Sequence, residues 1–213
     1  MKKSEKDGAL PGLEPPSIED LVGPRFCGID EAGRGPLAGP VYAAAVVLPS
    51  SFPLDVLDDS KALSAARRES VFSLITEDAL AWAIDWASPH EIDDLNILGA
   101  TFLAMRRAHA SLLAELRKRG HEAPLETLVD GNRLPPLEGR ARSVVGGDAI
   151  VPAIMAASIL AKVARDLQME RFDWLYPEYG YARHKGYPTK AHREIVLARG
   201  PSPIQRGSFR VRA

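Results

Sequence analysis

The sequence has a single cysteine and no long apolar run, and these absences exclude several classes of protein. Cys27 alone cannot form an intramolecular disulfide or a cysteine-based zinc site, which excludes a disulfide scaffold and a zinc ribbon. No apolar stretch reaches the roughly 18 residues needed to cross a bilayer. The opening segment, MKKSEKDGALPGLEPPSIED, lacks the apolar core of a secretory signal. We therefore expect a cytoplasmic protein that does not associate with membranes.

A large net charge of either sign is also missing. The chain has 27 Lys and Arg against 28 Asp and Glu, a net of −1, so no global basic field indicates a nucleic-acid partner. The charges are unevenly distributed, however, with a net of +6 over residues 162–213 and −7 over residues 1–161. This pattern suits a surface for polyanions beside carboxylates that hold cations, and solvated helix faces would produce it equally well.

The length and the local patterns indicate one domain of the α/β class. Residues 1–24 contain four of the 17 prolines and little apolar periodicity, which predicts a flexible tail before a single domain over 25–213. Apolar segments predict strands at 25–30, 41–48, 80–87, 126–129 and 143–145. Helices are predicted after an N-cap at Ser64 and over 96–119, 153–175 and 192–199. Strands followed by interleaved helices indicate a mixed sheet flanked by helices.

Carboxylates stand at the ends of three predicted strands, each with glycine close by. Asp30 and Glu31 end the first strand, Asp130 ends a later one in LVDG, and Asp148 follows another in VVGGD. Such strand ends converge on one edge of a sheet when the strands run in the same direction. Clustered carboxylates repel one another unless a cation lies among them, and oxygen ligands without His or Cys favour Mg²⁺ or Mn²⁺. Each acid taken singly could instead cap backbone N–H groups.

Asp30 and Glu31 are adjacent in the sequence, which limits how both side chains can serve one site. Neighbouring residues in a regular strand point to opposite faces of the sheet. We therefore expect the backbone to leave the strand at this pair if both side chains serve one site, and the glycine-rich turn that follows, AGRGPLAGP, is compatible with that.

The segment GIDEAGRGPLAGPVYAAAVVLP, which contains the first two of these acids, closely resembles the first motif of the type 2 ribonucleases H, specifically bacterial ribonuclease HII. The similarity continues in the family's order through DDSKALS, PHEIDDLNI, LVDGNR, GGDAIVPAIMAASILAKVARD and YGYARHKGYPTKAH, and covers roughly residues 25–210. The resemblance implies a ribonuclease H-like fold and an endonuclease that hydrolyses RNA paired to DNA, including single ribonucleotides embedded in duplex DNA.

The resemblance also assigns roles to individual residues. The family's catalytic carboxylates fall on Asp30, Glu31, Asp130 and Asp148, which would hold two Mn²⁺ or Mg²⁺ ions. The turn of Gly33, Arg34 and Gly35 would recognise the ribose 2′-hydroxyl, and Tyr187 would pack on the neighbouring deoxyribose. Further phosphate contacts, with solvated surface charge as the competing interpretation, are Lys61, Lys162, His184 and Lys185. Asp166, four residues after Lys162, is interpreted as an ion-pair partner.

The chain departs from the family near its C-terminus. IQRGSF stands where a His-Arg-Arg-Ser-Phe-like stretch is usual, so that Gln205 and Gly207 replace a histidine and an arginine and put a substrate role for this corner in doubt. Two other functions remain possible at this point, a two-metal exonuclease of the DEDD type and a nucleic-acid-binding module without catalysis. The intact set of four acids argues against the binding module, and digestion of a strand with blocked ends would separate the endonuclease from the exonuclease. Nothing in the sequence requires more than a monomer.

Overall fold

The computed structural model describes residues 21, 23–57 and 65–211, and its centre is one five-stranded sheet. The strands are β1 (Phe26–Ala32), β2 (Val41–Val47), β3 (Ala81–Ala87), β4 (Glu126–Asp130) and β5 (Ala141–Val144). Their order is β3-β2-β1-β4-β5, with β2 antiparallel to both β1 and β3, and with β4 parallel to β1 and to β5. The predicted mixed sheet is confirmed.

Helices cover both faces of this sheet. The helices are α1 (Ala65–Asp78), α2 (Pro89–Lys118), α3 (Pro152–Leu175), α4 (Tyr181–His184) and α5 (Lys190–Arg199). Buried side chains of α2 pack on the face that carries Cys27 and Ile29, whereas α1 and α3 pack on the opposite face through Ala44 and Val46. A third cluster joins the second half of α3 to the C-terminal segment. No helix in the described part of the chain is both long and apolar enough to span a membrane.

A glycine in β1 allows α3 to lie directly on the strand. A Cβ atom placed on Gly28 would stand 2.1 Å from the carbonyl carbon of Ala153 and 2.3 Å from the nitrogen of Ile154. These atoms are backbone and cannot move aside, so any side chain at position 28 would push the helix away from the sheet. The close contact fixes the height of α3 above the strand that carries Asp30 and Glu31.

Helix α2 begins earlier than the sequence predicts. Its first residue is Pro89 rather than Asn96, because Ser88 and Glu91 form a capping box, with Ser88 Oγ accepting from the Glu91 N–H at 3.2 Å. The residue predicted as the start is instead a break within the helix. Asn96 has a φ of 59°, and its side-chain oxygen accepts from the N–H groups of Leu98 and Gly99. Asn96 therefore caps the second, longer part of α2.

The capping box predicts a specific dependence of stability on pH. Hydrogen bonds from Arg107, followed by the Ser88 N–H, lower the pKa of Glu91 to about 2 from its ordinary value of 4.5. The folded-state pKa is depressed, so this stabilisation is present above about pH 4.5 and is lost as the pH falls toward 2. We expect Glu91→Gln to lower the free energy of unfolding at pH 7 by about 1 kcal/mol. Urea unfolding at several pH values should show the difference from wild type shrinking below pH 4.5, and a difference independent of pH would contradict this.

The other predicted elements are present with shifted ends. β1 continues to Ala32, two residues beyond its predicted end, β5 starts at Ala141, and α5 starts at Lys190 behind an N-cap at Thr189. The short helix α4 was not predicted. The predicted N-cap Ser64 and all of the predicted tail except Leu21, Gly23 and Pro24 lie outside the described residues, and Leu21 is buried against Leu128, Val151 and Ile154. The division of the chain at residue 24 stays a prediction.

Candidate active site

Asp30 and Glu31 lie in regular strand, contrary to the expectation that the backbone leaves the strand there. The antiparallel pairing of β1 with β2 runs without interruption from Gly28 to Ala32. The parallel pairing with β4, in contrast, ends at Ile29 opposite Val129, and the next residues along the two strands are Asp30 and Asp130. The sheet is thus open beside β1 at this point. Both acids lie at the edge of the sheet where this pairing ends, here called the rim, and the charge of Asp130 raises the pKa of both.

Asp130 and Asp148 come to this rim from β4 and from the turn after β5. Asp130 is the last residue of β4, and Asp148 lies in a 3-10 turn, Gly147–Ala149, that follows a left-handed glycine, Gly146, with φ 68°. The backbone N–H of Asp148 donates to Asp130 Oδ1 at 3.3 Å. The four predicted acids are therefore grouped at the carboxyl ends of the three parallel strands β1, β4 and β5, as their positions in the sequence predicted.

The pKa values of Asp30 and Glu31 are both raised by burial and by the neighbouring carboxylates. Burial raises the pKa of Asp30 well above its usual range, and the charges of Glu31 and Asp130 raise it further. Burial also raises the pKa of Glu31, with contributions from Asp130 and Asp148, while Arg34 opposes the rise through a contact of 3.1 Å to Glu31 Oε1. The half-exposed guanidinium of Arg34 thus offsets part of the repulsion at Glu31.

This donor set fits divalent cations of the oxygen-seeking kind. Carboxylates that repel one another gain most from a cation placed among them, and the four acids offer only oxygen ligands, which suits Mg²⁺ and Mn²⁺. Within residues 21, 23–57 and 65–211, no three side chains of His, Cys, Asp or Glu form a group that could hold a metal ion as placed. The acids share a rim and not a completed coordination sphere.

Two clefts meet at Glu31, and both contain basic groups. The first lies between the rim and α2 and adds three polar residues that were not singled out from the sequence, Thr101, Asn132 and Arg133, to Glu31, Arg34 and Asp130. The second lies toward α3, where Lys162, Tyr187 and another unpredicted residue, Arg68, line it. Asn132 and Arg133 belong to the quoted LVDGNR segment, whereas no pattern in the sequence distinguished Arg68.

The glycine-rich turn and Tyr187 are held against each other beside the acids. The carbonyl of Gly186 accepts from the Leu37 N–H at 2.8 Å, and a Cβ atom placed on Gly35 would lie 3.9 Å from Tyr187 Cε1. Tyr187 is 38% exposed, and Lys162 Nζ and Arg165 Cζ each lie 5.6 Å from the centroid of its ring. The structure thus places the turn, an accessible aromatic ring and the acidic rim next to one another.

The sequence profile of the family described as Ribonuclease HII matches residues 27–212. The chain belongs to the ribonuclease HII family. It is 54% identical to ribonuclease HII of Treponema denticola over 195 residues, which cover 88% of this chain and 98% of that protein. It is also similar to the crystal structure of ribonuclease H2 from Pyrococcus horikoshii OT3, with a TM-score of 0.70 and 26% identity over 87% of this chain and 94% of that one. Bst-RNase HIII in complex with Mn²⁺ has the same fold at 17% identity and a TM-score of 0.69, over 90% of this chain and 69% of that one.

Membership in the ribonuclease HII family establishes the class of reaction. The chain is an endoribonuclease with ribonuclease H activity, so the binding module without catalysis is excluded. The ribonuclease H family acts on RNA–DNA hybrids and depends on divalent metal ions. The α/β fold expected from the resemblance is confirmed by these neighbours.

Three of the four remaining predicted phosphate contacts are engaged within the protein. Lys162 Nζ lies 2.8 Å from Asp166, which forms the ion pair expected of it, and Lys185 Nζ lies 2.6 Å from Glu170. His184 Nδ1 accepts from the Gly186 N–H at 3.2 Å, and Nε2 donates to the Tyr179 carbonyl at 2.9 Å. Lys61 lies outside the described residues. Phosphate binding by these four residues stays a prediction.

Proposed function

We propose that this ribonuclease cuts the RNA-containing strand of RNA–DNA hybrids and cuts on the 5′ side of single ribonucleotides embedded in duplex DNA. The observation that carries this proposal is the juxtaposition of the acidic rim with the Gly33–Gly35 turn and with Tyr187. The acids of the rim would catalyse cleavage, and the turn would bind a ribose. Their proximity therefore favours a substrate whose ribose lies beside the scissile phosphate. The exposed face of Tyr187, next to Gly35, suits the sugar of the adjoining nucleotide.

Asp30, Glu31, Asp130 and Asp148 would hold the metal ions. When bound, two Mg²⁺ or Mn²⁺ ions supply activation of the attacking water and stabilisation of the leaving 3′ oxygen. The carboxylates lie on two faces of β1 and on two neighbouring segments, so they approach the rim from several directions. Burial of Asp30 keeps it fixed, and its carboxylate accepts from the Glu31 N–H at 2.7 Å. The products of this reaction are a 3′-hydroxyl and a 5′-phosphate.

The chain's own basic groups would bind and orient the strand. Arg34 and Arg133 border the cleft on the α2 side, and Arg68 and Lys162 border the cleft on the α3 side. Positive groups on both sides of the rim suit a polyanion that crosses it. Backbone groups of Gly33 and Gly35 would bond the 2′-hydroxyl, because the absence of side chains permits close approach to a sugar.

A duplex with one ribonucleotide in one strand tests the proposal. With Mg²⁺ or Mn²⁺ we expect a single cut at the ribonucleotide, no cut in an all-DNA duplex of the same sequence, and no cut in the presence of EDTA. A substrate with both ends blocked should be cut equally well, because the reaction does not start from an end. Cleavage that requires a free end would contradict the proposal.

The role proposed for Tyr187 predicts a difference between two substitutions. Among the hydrogen bonds of the described residues, none involves the Tyr187 hydroxyl, so Tyr187→Phe should keep the preference for an RNA-to-DNA junction. Tyr187→Ala removes the ring and should reduce kcat/KM on the single-ribonucleotide duplex about tenfold, as expected for loss of about 1–3 kcal/mol of aromatic packing on a nucleotide. Continuous RNA–DNA hybrid serves as the comparison substrate. Equal, severe losses in both variants would assign the role to the hydroxyl instead.

A further inference from the structure

Arg206 is a fully buried arginine whose guanidinium donates hydrogen bonds to carbonyl groups of the glycine-rich turn. Its side chain donates to the carbonyls of Gly33 at 2.6 Å, Arg34 at 3.0 Å, Gly39 at 2.8 Å and Pro40 at 3.3 Å. The residue is 0% exposed. Every one of these acceptors lies more than 160 positions away in the sequence, so the guanidinium ties the C-terminal segment directly to the turn.

Packing alone does not account for a buried guanidinium, because its burial costs free energy of desolvation. A buried guanidinium loses its hydration and is tolerated only where most of its N–H groups find acceptors. Here the acceptors are neutral carbonyls. Burial, with a further contribution from the charge of Arg165, lowers the pKa of Arg206 to about 9 from 12.5. An apolar side chain would avoid that cost, but it could not donate hydrogen bonds to four peptide carbonyls.

The segment that carries Arg206 is itself fixed from a second direction. The backbone N–H of Arg206 donates to the Leu37 carbonyl at 2.9 Å, and the carbonyl of Ile204 accepts from the Gly39 N–H at 2.9 Å. On the other side, the Asp93 carboxylate in the first part of α2 accepts from the N–H groups of Gly207 and Ser208 and from the Ser208 hydroxyl, at 2.6–2.9 Å. The connection therefore runs from α2 through Asp93 and Arg206 to the carbonyls of Gly33 and Arg34.

We propose that Arg206 is a positioning residue for substrate recognition, which holds the peptide planes of Gly33 and Arg34 in the orientation that reads the ribose 2′-hydroxyl. This inference rests on the proposed role of the turn. A carbonyl that accepts from Arg206 still has a second acceptor direction free for a hydroxyl, and fixing that carbonyl also fixes the adjoining N–H. Arg206 touches neither substrate nor metal in this role.

The two departures from the family pattern, Gln205 and Gly207, lie on either side of Arg206 in the sequence. Gly207 is exposed and Gln205 is half-buried, whereas the arginine between them is the residue that reaches the turn. The part of IQRGSF that differs from the usual stretch flanks Arg206, and the part that matches supplies the guanidinium and the Ser208 anchor. In the proposed role, this corner acts on recognition through the turn.

The test is a comparison of Arg206→Lys with wild type on two duplexes, which carry either a ribonucleotide or its 2′-fluoro analogue at one position. Lysine keeps the positive charge, but its compact ammonium has three donors and cannot span four carbonyls. We expect kcat/KM on the ribonucleotide duplex to fall about 10- to 100-fold, as for a catalytic group displaced by about 1 Å. The preference for the 2′-hydroxyl over 2′-fluorine should fall about tenfold, while the Mn²⁺ concentration for half-maximal activity stays unchanged.

Two further variants make the outcome decisive. Leu112→Ala removes a fully buried side chain of α2, and it should lower Tm while leaving the 2′-hydroxyl preference at the wild-type value. Asp93→Ala releases the outer anchor of the segment and should reduce the preference in the same direction as Arg206→Lys, even if the latter does not fold. Folded Arg206→Lys or Asp93→Ala with wild-type preference would overturn the inference. Wild-type protein that cuts neither duplex would instead overturn the proposed function.

Discussion

Asp148→Asn should abolish cleavage while leaving the fold intact. Asparagine keeps the shape of aspartate but removes one of the charges that would hold the metal ions. Metal-ion catalysis supplies several kcal/mol of transition-state stabilisation, so we expect kcat to fall by about 10³-fold or more. The N–H of Asp148 that donates to Asp130 belongs to the backbone and remains. Steady-state cleavage of the single-ribonucleotide duplex in Mg²⁺ and in Mn²⁺ measures the loss.

The thermal stability of the same variant separates loss of function from loss of fold. With one repulsive carboxylate removed, Tm in EDTA should equal or exceed that of wild type. A matched control is Asp78→Asn, an exposed aspartate at the last position of α1, which leads toward β3 and away from the rim. The control should cut at the wild-type rate. Near wild-type cleavage by Asp148→Asn would mean that this residue holds no metal ion.

Gly35→Ala should have an effect much larger than the size of a methyl group suggests. The added Cβ meets only Tyr187 Cε1, at 3.9 Å, and Gly35 is not among the glycines with positive φ, so the protein accommodates the methyl group without strain. The methyl group would instead occupy the space that the ribose needs. We expect kcat/KM on ribonucleotide-containing duplexes to fall about 10²-fold, with Tm unchanged.

Gly33, two residues before Gly35, should respond differently to the same substitution. A Cβ placed on Gly33 would lie 2.0 Å from Arg165 Nε, and its φ of 98° disfavours any side chain, so Gly33→Ala should lose stability as well as activity. Thermal unfolding of the two variants side by side distinguishes the two effects. If Gly35→Ala cut ribonucleotide duplexes at the wild-type rate, backbone recognition of the sugar at this position would be wrong.

Most of the sheet could be predicted because its strands are short apolar segments bounded by turns. The position of the acids followed from the same reasoning, since parallel strands bring their carboxyl ends together, and Asp30 and Asp130 do lie at neighbouring strand ends. The expected departure of the backbone at Asp30 and Glu31 was wrong for a reason that local sequence does not contain. The pairing of β1 with β2 continues to Ala32 and the pairing with β4 ends at Ile29, and this difference depends on register with a strand that lies far away in the chain.

The buried arginines could not be predicted either. Arg165 and Arg206 resemble surface cations in the sequence, because the groups that accept their hydrogen bonds are not nearby in the chain. Their acceptors are backbone carbonyls far away in the chain, such as Pro40 for Arg165 and Gly39 for Arg206. Only the folded chain brings these groups together. The same holds for His184, whose ring stacks on His192 at 4.3 Å, and whose inward orientation no local pattern indicated.

The central claim is that a metal-bound water, and not the substrate's own 2′-hydroxyl, attacks phosphorus on the 5′ side of the ribonucleotide. Mass spectrometry of both fragments from a duplex with one ribonucleotide tests it most directly. The account predicts an upstream fragment that ends in a 3′-hydroxyl and a downstream fragment that begins with a 5′-phosphate and retains the ribonucleotide. A 2′,3′-cyclic phosphate, or a cut on the 3′ side of the ribonucleotide, would contradict it.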